Sequence, residues 1–512
     1  MWRRNPKSFL YWLHRWSGVA VAIVMLLWFL SGIVMLFVGY PKLYPWEHMA
    51  RLEPLRQASC CVPLQTALAA VPSADGAIGS INVVTVGQQP HYHITKGGQR
   101  YVVDAQTGVL LPEATAQQAV DTVKRYLPGS SPTYEGLVES DLWTRSGALH
   151  SHRPLHKVLA HDAADTLVYV SSKTGEVVQL ADAQSRAWNY VGAWLHWLYM
   201  FRGPTPDPIW HWLVVVLSAI AVVSTIAGTV VGIWRWRFRK PYASGARTPY
   251  PSRAMRWHHI AGLLFCGVTL TWIVSGLLSM NPFNVFSPAQ TPNRDAYQAK
   301  PLQAQWFDRS AQDLLAAMPP DSLREIQWVI VGGSSYLLGR TADNQTVVMP
   351  AEGEASTIVQ QLDQTQLVNA AKHLFNAPIA SVQRLEQYDS YYYARAPQAM
   401  RGAREKPLPV LRIEFADPVS NWVHIDPRTG VIESSMDKHQ RVGRWWFELL
   451  HSWDLPMMLK AEVLRNSVLV VLSVGGVLMS ATGVLIGYRR VRSTVITRRQ
   501  KRARRALLSA KN

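Results

Sequence analysis

Four stretches of this chain, at about 16–39, 209–234, 260–280 and 467–488, are long, apolar and free of Asp, Glu, Lys and Arg in their cores. A helix crosses the hydrocarbon core of a bilayer in about 20 residues at about 1.5 Å each. In lipid the backbone polar groups must be satisfied within the segment, so each stretch is expected to be a membrane-spanning helix. The first follows MWRRNPK. Its apolar run is too long for a secretory signal and no small-x-small cleavage site follows, so it reads as a retained anchor.

The net charge of +18 would suggest a nucleic-acid partner if it were spread evenly. It is not. Residues 1–15 carry four Lys/Arg, 235–256 carry seven and 489–512 carry ten, all without an acid, while the two large loops hold the other 31 against all 34 Asp/Glu. By the positive-inside rule the termini and the short middle loop are expected in the cytoplasm, and both large loops outside. The basic surplus then reports orientation and attraction to anionic headgroups, and the tail RRQKRARR is read without a nucleic-acid role.

The apolar scaffold is repeated. His14, Gly18, Trp28, Ser31 and Gly32 recur 244 residues later as His258, Gly262, Trp272, Ser275 and Gly276. His196, Leu217, Ser218, Gly228, Gly232 and Arg235 recur 255 residues later as His451, Leu472, Ser473, Gly483, Gly487 and Arg490. The expected architecture is therefore an α-helical membrane protein of four spans in two repeated halves, with two periplasmic α+β loops. The segments are a cytoplasmic N-terminus with the first span (1–40), a first outer region (41–208), the second span (209–234), a basic loop (235–259), the third span (260–280), a second outer region (281–466), the fourth span (467–488) and a basic tail (489–512).

Each outer region opens with an Ala- and Gln-rich helical stretch, at 63–71 and 308–318, before strand-like runs. In the first, INVVTV, HYHIT and RYVVDAQTG precede a helix at 113–127 and a second strand set ending in LVYVSSKTGEVVQL. The second has a helix near 364–375 and a terminal hairpin, WVHIDPRTGVIESS. Asp104 with Gly108, and Asp426 with Gly430, fit a turn in which Asp caps its own backbone and Gly supplies a positive φ. Lys173-Thr174-Gly175 is a third instance, with Ser171 in the Asp position.

These helix-then-hairpin units ending in Val-x-Asp-x-x-Thr-Gly-x-Val resemble PepSY domains. The spans, through LHRWSGV, the stretch at 195–202, RWHHIAGLL and GRWWFELLHSWDLP, resemble the PepSY-associated transmembrane family. Members of that family include inner-membrane ferric-siderophore reductases that carry b-type haem. The resemblance thus implies b-type haem and a ferric chelate or another periplasmic acceptor; two haem b groups follow from the histidine pairs below, and a cytoplasmic or quinol electron donor is expected from elsewhere.

The paired histidines suit that chemistry. Haem iron takes two axial ligands, and neutral imidazoles on facing helices can supply both. His14 and His258 lie at the cytoplasmic starts of their spans, and His196 and His451 lie outside, about a dozen residues before the second and fourth. One haem per membrane face would form a relay across a core of about 30 Å. The bland alternative is four interfacial histidines turning their ring tips to water. Against it, Arg15 became His259 and His211 became Asn466 between the halves while the four paired histidines stayed. His259 and His211 are the alternates for ligation.

Other features constrain less. Without Cys-x-x-Cys-His, covalent haem is excluded, and no four-cysteine set exists for an iron–sulfur cluster or a cysteine-ligated structural zinc. Cys60 and Cys61 could form a strained vicinal bridge, for which a redox role is the minor reading, and Cys266 reads as a packing residue. The run His150, His152, His156 and His161 is dense but lacks a zinc-type spacing. Tyr391, Tyr392 and Tyr393 fit either an acceptor contact or a strand face. The rival to a haem enzyme is a haem-free membrane protein whose PepSY-like domains bind or regulate a periplasmic partner such as a protease. A transporter is disfavoured by the absence of charge within the spans.

Overall fold

The computed structural model describes residues 5–72, 76–203, 207–353, 357–400, 402 and 405–509, without the side chains of 502–509. The chain divides into two compact units, one of residues 1–39, 188–287 and 440–512, the other of 40–187 and 288–439.

The first unit is built on four helices long and apolar enough to cross a membrane, Pro6–Met35, Pro208–Arg235, Arg253–Ser279 and Glu462–Ser509. Local chemistry sets two of their starts. Asn5 accepts from the Lys7 amide at 3.1 Å and Asp207 from the Trp210 amide at 2.9 Å, each just before a proline in the first helical turn, where its missing N–H costs nothing. Three helices extend beyond the apolar runs, taking in residues 6–15, 253–259 and the tail to Ser509. Hydropathy marks only the lipid-facing portion, whereas a helix continues through Lys and Arg, whose long stems can carry their charge to water. The first and third helices each pack against the second and fourth. At the centre are Val21, Met25, Phe29, Ala221, Ala261, Ile273 and Met479. Gly475 and Gly476 leave the space that the Phe265 and Phe29 rings occupy.

Before the second and fourth spans the chain makes two similar elbows. A π-helical turn, Tyr190–Trp194 or Trp445–Leu449, precedes His196 and His451. Two residues beyond each histidine the backbone is left-handed, at Leu198 (φ 52°) and Trp453 (φ 55°). Such a conformation is unfavourable for non-glycine residues and persists where the surroundings fix it.

The second unit contains three antiparallel sheets. The largest combines β1 (Ile78–Val86), β2 (Gln89–Lys96) and β3 (Gln99–Asp104) with β8 (Leu323–Val331), β9 (Ser334–Thr341) and β10 (Thr346–Pro350), in the order β10-β9-β8-β1-β2-β3. The others are β4 (Thr133–Val138), β5 (Leu155–Leu159), β6 (Leu167–Ser171) and β7 (Val177–Ala181), and β11 (Ile379–Leu385), β12 (Val410–Phe415), β13 (Trp422–Ile425) and β14 (Ile432–Met436). The two large loop regions, separate in sequence, are thus joined: β1 pairs with β8 through Ile81 opposite Trp328 and Val83 opposite Ile326. Pairing covers two edges that would otherwise expose unpaired backbone groups. Ile81, Val83, Tyr92, Ile94, Ile326, Trp328 and Leu337 form one core on one face of this sheet. Tyr336, Leu338 and Val348 pack on the other face with Leu411, Ile413 and Val423 of the β11–β14 sheet.

The expected turns form. The Asp104 carboxylate accepts from the Gln106 and Thr107 amides at 2.8 and 2.9 Å, and Gly108 has φ 75°. Asp426 accepts from the Arg428 amide with Gly430 at φ 71°, and the Ser171 hydroxyl substitutes for the carboxylate before Gly175, also at φ 71°. Cys60 and Cys61 are joined by a disulfide. The tyrosine run is not on a strand: Tyr391–Tyr393 lie in an irregular segment where Tyr392 is buried and donates to the Pro407 carbonyl at 2.9 Å.

Candidate functional site

Within the helical unit the four repeated histidines form two pairs. The His14 and His258 rings lie 6.2 Å apart between centroids with 29° between their planes, and His196 and His451 lie 6.1 Å apart at 73°. His14 and Ser31, and likewise His258 and Ser275, are 17 residues apart on one helix, a rise of about 25 Å. Since Ser31 and Ser275 contact the second pair, the two pairs sit at well-separated depths in the bundle.

Every ring is tied back through Nδ1. His14 Nδ1 meets the Ser224 carbonyl at 3.0 Å and His258 Nδ1 meets the Met479 carbonyl at 3.0 Å, with the Thr482 hydroxyl at 3.2 Å. A carbonyl can only accept, so Nδ1 carries the proton and Nε2 keeps its lone pair. His196 Nδ1 meets the Ser31 hydroxyl at 3.1 Å, and His451 Nδ1 meets that of Ser275 at 3.0 Å. Ser31 donates to the Leu27 carbonyl at 2.6 Å and Ser275 to the Trp272 carbonyl at 2.9 Å, so each hydroxyl oxygen is left to accept from the imidazole. None of the four Nε2 atoms has a hydrogen-bond partner among the described residues. Trp28 Nε1 donates to the His196 carbonyl at 2.9 Å and helps hold that elbow.

Each ring also lies on a glycine. A β-carbon on Gly228 would come within 2.5 Å of His14 Cε1, and one on Gly483 within 3.3 Å of His258 Cε1. At Gly32 and Gly276 the corresponding distances, to His196 and His451, are both 3.7 Å. The arrangement is reciprocal. The first and third helices carry one histidine pair and give the serine and glycine that hold the other; the second and fourth supply carbonyls and glycines to the first pair. A cavity of about 550 Å³ lies beside His14 and His258, with Arg15, Arg489 and Arg490 in its wall and no carboxylate. Its size is in the range of cofactor sites.

The alternates are placed differently. His259 is buried with both ring nitrogens engaged, Nδ1 by the Thr248 hydroxyl at 2.8 Å and Nε2 by the Gly232 carbonyl at 2.8 Å. It has no free lone pair as placed. His211 lies in the first turn of the second span, edge-on to Trp212 at 5.5 Å. In the other unit the run from His150 to His161 does not converge. Both nitrogens of His156 are used, by Tyr134 and by the Ala114 carbonyl, and His161 meets the Thr133 hydroxyl at 3.2 Å. The tethers were only partly visible in sequence: Ser31 and Ser275 recur at the histidine offset, whereas the Ser224 and Met479 acceptors are backbone atoms that no side-chain pattern reveals.

The family model for the PepSY-associated TM region matches residues 11–346, more than half of the chain. The chain belongs to this family. The matched region includes His14, His196 and His258 and ends before His451. The PepSY-associated assignment thus rests on the first three spans and the loops through β9. No curated protein matches the chain significantly.

Proposed function

We propose that this PepSY-associated membrane protein is a bacterial inner-membrane b-type haem oxidoreductase, built as two copies of one unit, that carries electrons from a cytoplasmic or quinol donor to a periplasmic acceptor. The observation that carries the reading is the pair of imidazole pairs, 6.2 and 6.1 Å between centroids, each ring tied through Nδ1 and unpartnered at Nε2. Ring centres about 6 Å apart leave room for one metal ion at bonds of about 2 Å from an imidazole nitrogen of each ring, so the residues fit a bis-histidine site. When bound, haem would supply one-electron chemistry that no side chain here offers.

The chain's own residues have defined tasks in this reading. The Nδ1 tethers fix the tautomer and orientation and raise the basicity of the ligating nitrogen. Gly228 and Gly483 keep β-carbons away from the His14 and His258 rings. Arg15, Arg489 and Arg490 would meet the carboxylates of the macrocycle at the first pair. The three basic segments favour cytoplasmic termini and outer loops in the periplasm. The family resemblance makes a ferric siderophore the first acceptor to test.

The deciding experiment is the visible spectrum of detergent-purified protein from cells with ample haem. A low-spin bis-histidine spectrum, with haem extracted by acid acetone, is expected. A folded but colourless protein would rule the reading out.

A further inference from the structure

A second group of histidines, from three distant segments of the outer unit, gathers around one carboxylate. Glu176, in the turn between β6 and β7, has His93 Nδ1 at 3.1 Å from one oxygen and His48 Nε2 at 3.7 Å from the other. His152 is close enough for the charges of Arg100, Glu176, His93 and His48 to act on it, and His91 is close enough for those of His93, Asp104 and Glu176. The cluster is interior, with His91 and His93 only 9% and 3% exposed. Both nitrogens of His91, Nε2 of His93, and Nδ1 of His48 and of His152 have no hydrogen-bond partner among the described residues. A buried polar atom left unpaired costs about 1–3 kcal/mol, so five such nitrogens in one place need a counterpart.

The other half of the same sheet shows that the fold does not require them. Strand β9 begins 245 residues after β2, and β8 begins 245 residues after β1. The residues in register with His91 and His93 are Tyr336 and Leu338, which pack in an apolar core. Equivalent strands thus bury a hydrocarbon face in one half and an imidazole–carboxylate face in the other.

We propose that His93, His48 and Glu176, with His152 or His91 as a further donor, bind a divalent first-row transition-metal ion, distinct from the histidine pairs of the helical unit. Imidazole with carboxylate is a donor set for such ions. A tetrahedral ion with bonds of about 2.0–2.1 Å holds its donors about 3.3–3.4 Å apart, and the two nitrogen–oxygen distances bracket that edge. Among the described residues no three donors already converge on a common point. Here the carboxylate faces the two imidazoles on separate oxygens, His93 at 3.1 Å and His48 at a looser 3.7 Å, and an entering ion would displace the protons between them and draw the donors together.

The test uses purified full-length protein, freed of adventitious metal with a chelator and titrated with Zn²⁺, with Co²⁺ as the spectroscopic probe. Haem iron is counted separately, so the result is independent of the helical site. Wild type should bind one equivalent, and Co²⁺ should give the visible bands of nitrogen and oxygen coordination. His93→Leu, which installs the residue of the corresponding apolar position, and Glu176→Gln should each weaken binding by at least about tenfold, while His156→Gln should not. No bound metal in wild type would overturn the proposal. Unchanged affinity in both variants would overturn the assignment. If a variant fails to fold, the wild-type Co²⁺ spectrum decides, since a spectrum without imidazole coordination also overturns it.

Discussion

Gly228 lies so close beneath the His14 imidazole that a β-carbon there would sit 2.5 Å from Cε1, whereas Gly32 leaves 3.7 Å beneath His196. The two glycines should therefore respond differently to the same change. Gly228→Ala forces His14 off its tether to the Ser224 carbonyl, at an overpacking cost of about 1–3 kcal/mol, and should weaken haem retention. Gly32→Ala adds a methyl group at ordinary contact distance and should be tolerated. Haem content per protein and thermal midpoint measure both. Equal behaviour of the two variants would mean that the close approach at Gly228 does not matter to the site.

The histidine pairs should be separable. His14→Ala or His258→Ala should abolish the haem of that pair alone, and His196→Ala or His451→Ala that of the other. His259→Ala should keep both, because Thr248 and the Gly232 carbonyl already occupy its two nitrogens. The pyridine haemochrome of each variant gives the count. Loss of haem in the His259 variant, with the four others unaffected, would move the ligand assignment by one residue.

Some of this was readable in the chain and some was not. Lipid exposure leaves a long apolar signature, so the four spans stand out, although Asn5, Asp207 and the basic helical extensions show that hydropathy does not mark helix ends. The histidine pairs were visible because a constant offset survives in sequence. The joining of the outer regions was not, since Val83 meets Ile326 across a separation that leaves no local pattern. The dense run from His150 to His161 drew attention to proximity in sequence, but the gathering point lies elsewhere and recruits only His152 from it. Buried clusters assembled from single residues of several strands carry no motif.

Acid should destabilise the β-sheet unit through His424. This imidazole is fully buried, accepts from Arg412 Nε at 2.9 Å, meets the Ser434 hydroxyl at 3.0 Å and stacks on Tyr392 at 4.8 Å. Burial, then the charges of Arg412 and Lys406, push its pKa down to about 3, with Asp389 opposing. The folded state thus prefers the neutral ring. The stabilisation is full above the unfolded value of 6.5 and is lost as pH falls toward about 3. The slope from this group is at most about 1.4 kcal/mol per pH unit. His424→Gln, whose amide oxygen can still accept from Arg412, should flatten the fall of the thermal midpoint between pH 6 and pH 4, taken as a window of about two units below the ordinary histidine value. An unchanged slope would show that other groups set the acid limit.

The proposed direction of electron flow can be tested in vesicles. In the proposed orientation, with the basic termini on the cytoplasmic face, a reductant confined to that face should reduce an impermeant ferric chelate on the other, and the rate should depend on both histidine pairs. His196→Ala or His451→Ala should stop transfer while the spectrum of the first pair still responds to the reductant. His14→Ala should stop it as well, since the pairs stand about 25 Å apart along the helices and neither alone spans a core of about 30 Å. Ser31→Ala with Ser275→Ala should retain haem more weakly, by roughly 10- to 100-fold, because the imidazoles lose their Nδ1 partners but not their ligating nitrogens. Transfer that continues unchanged without His196 or His451 would show that the outer pair is not on the route, whatever it binds.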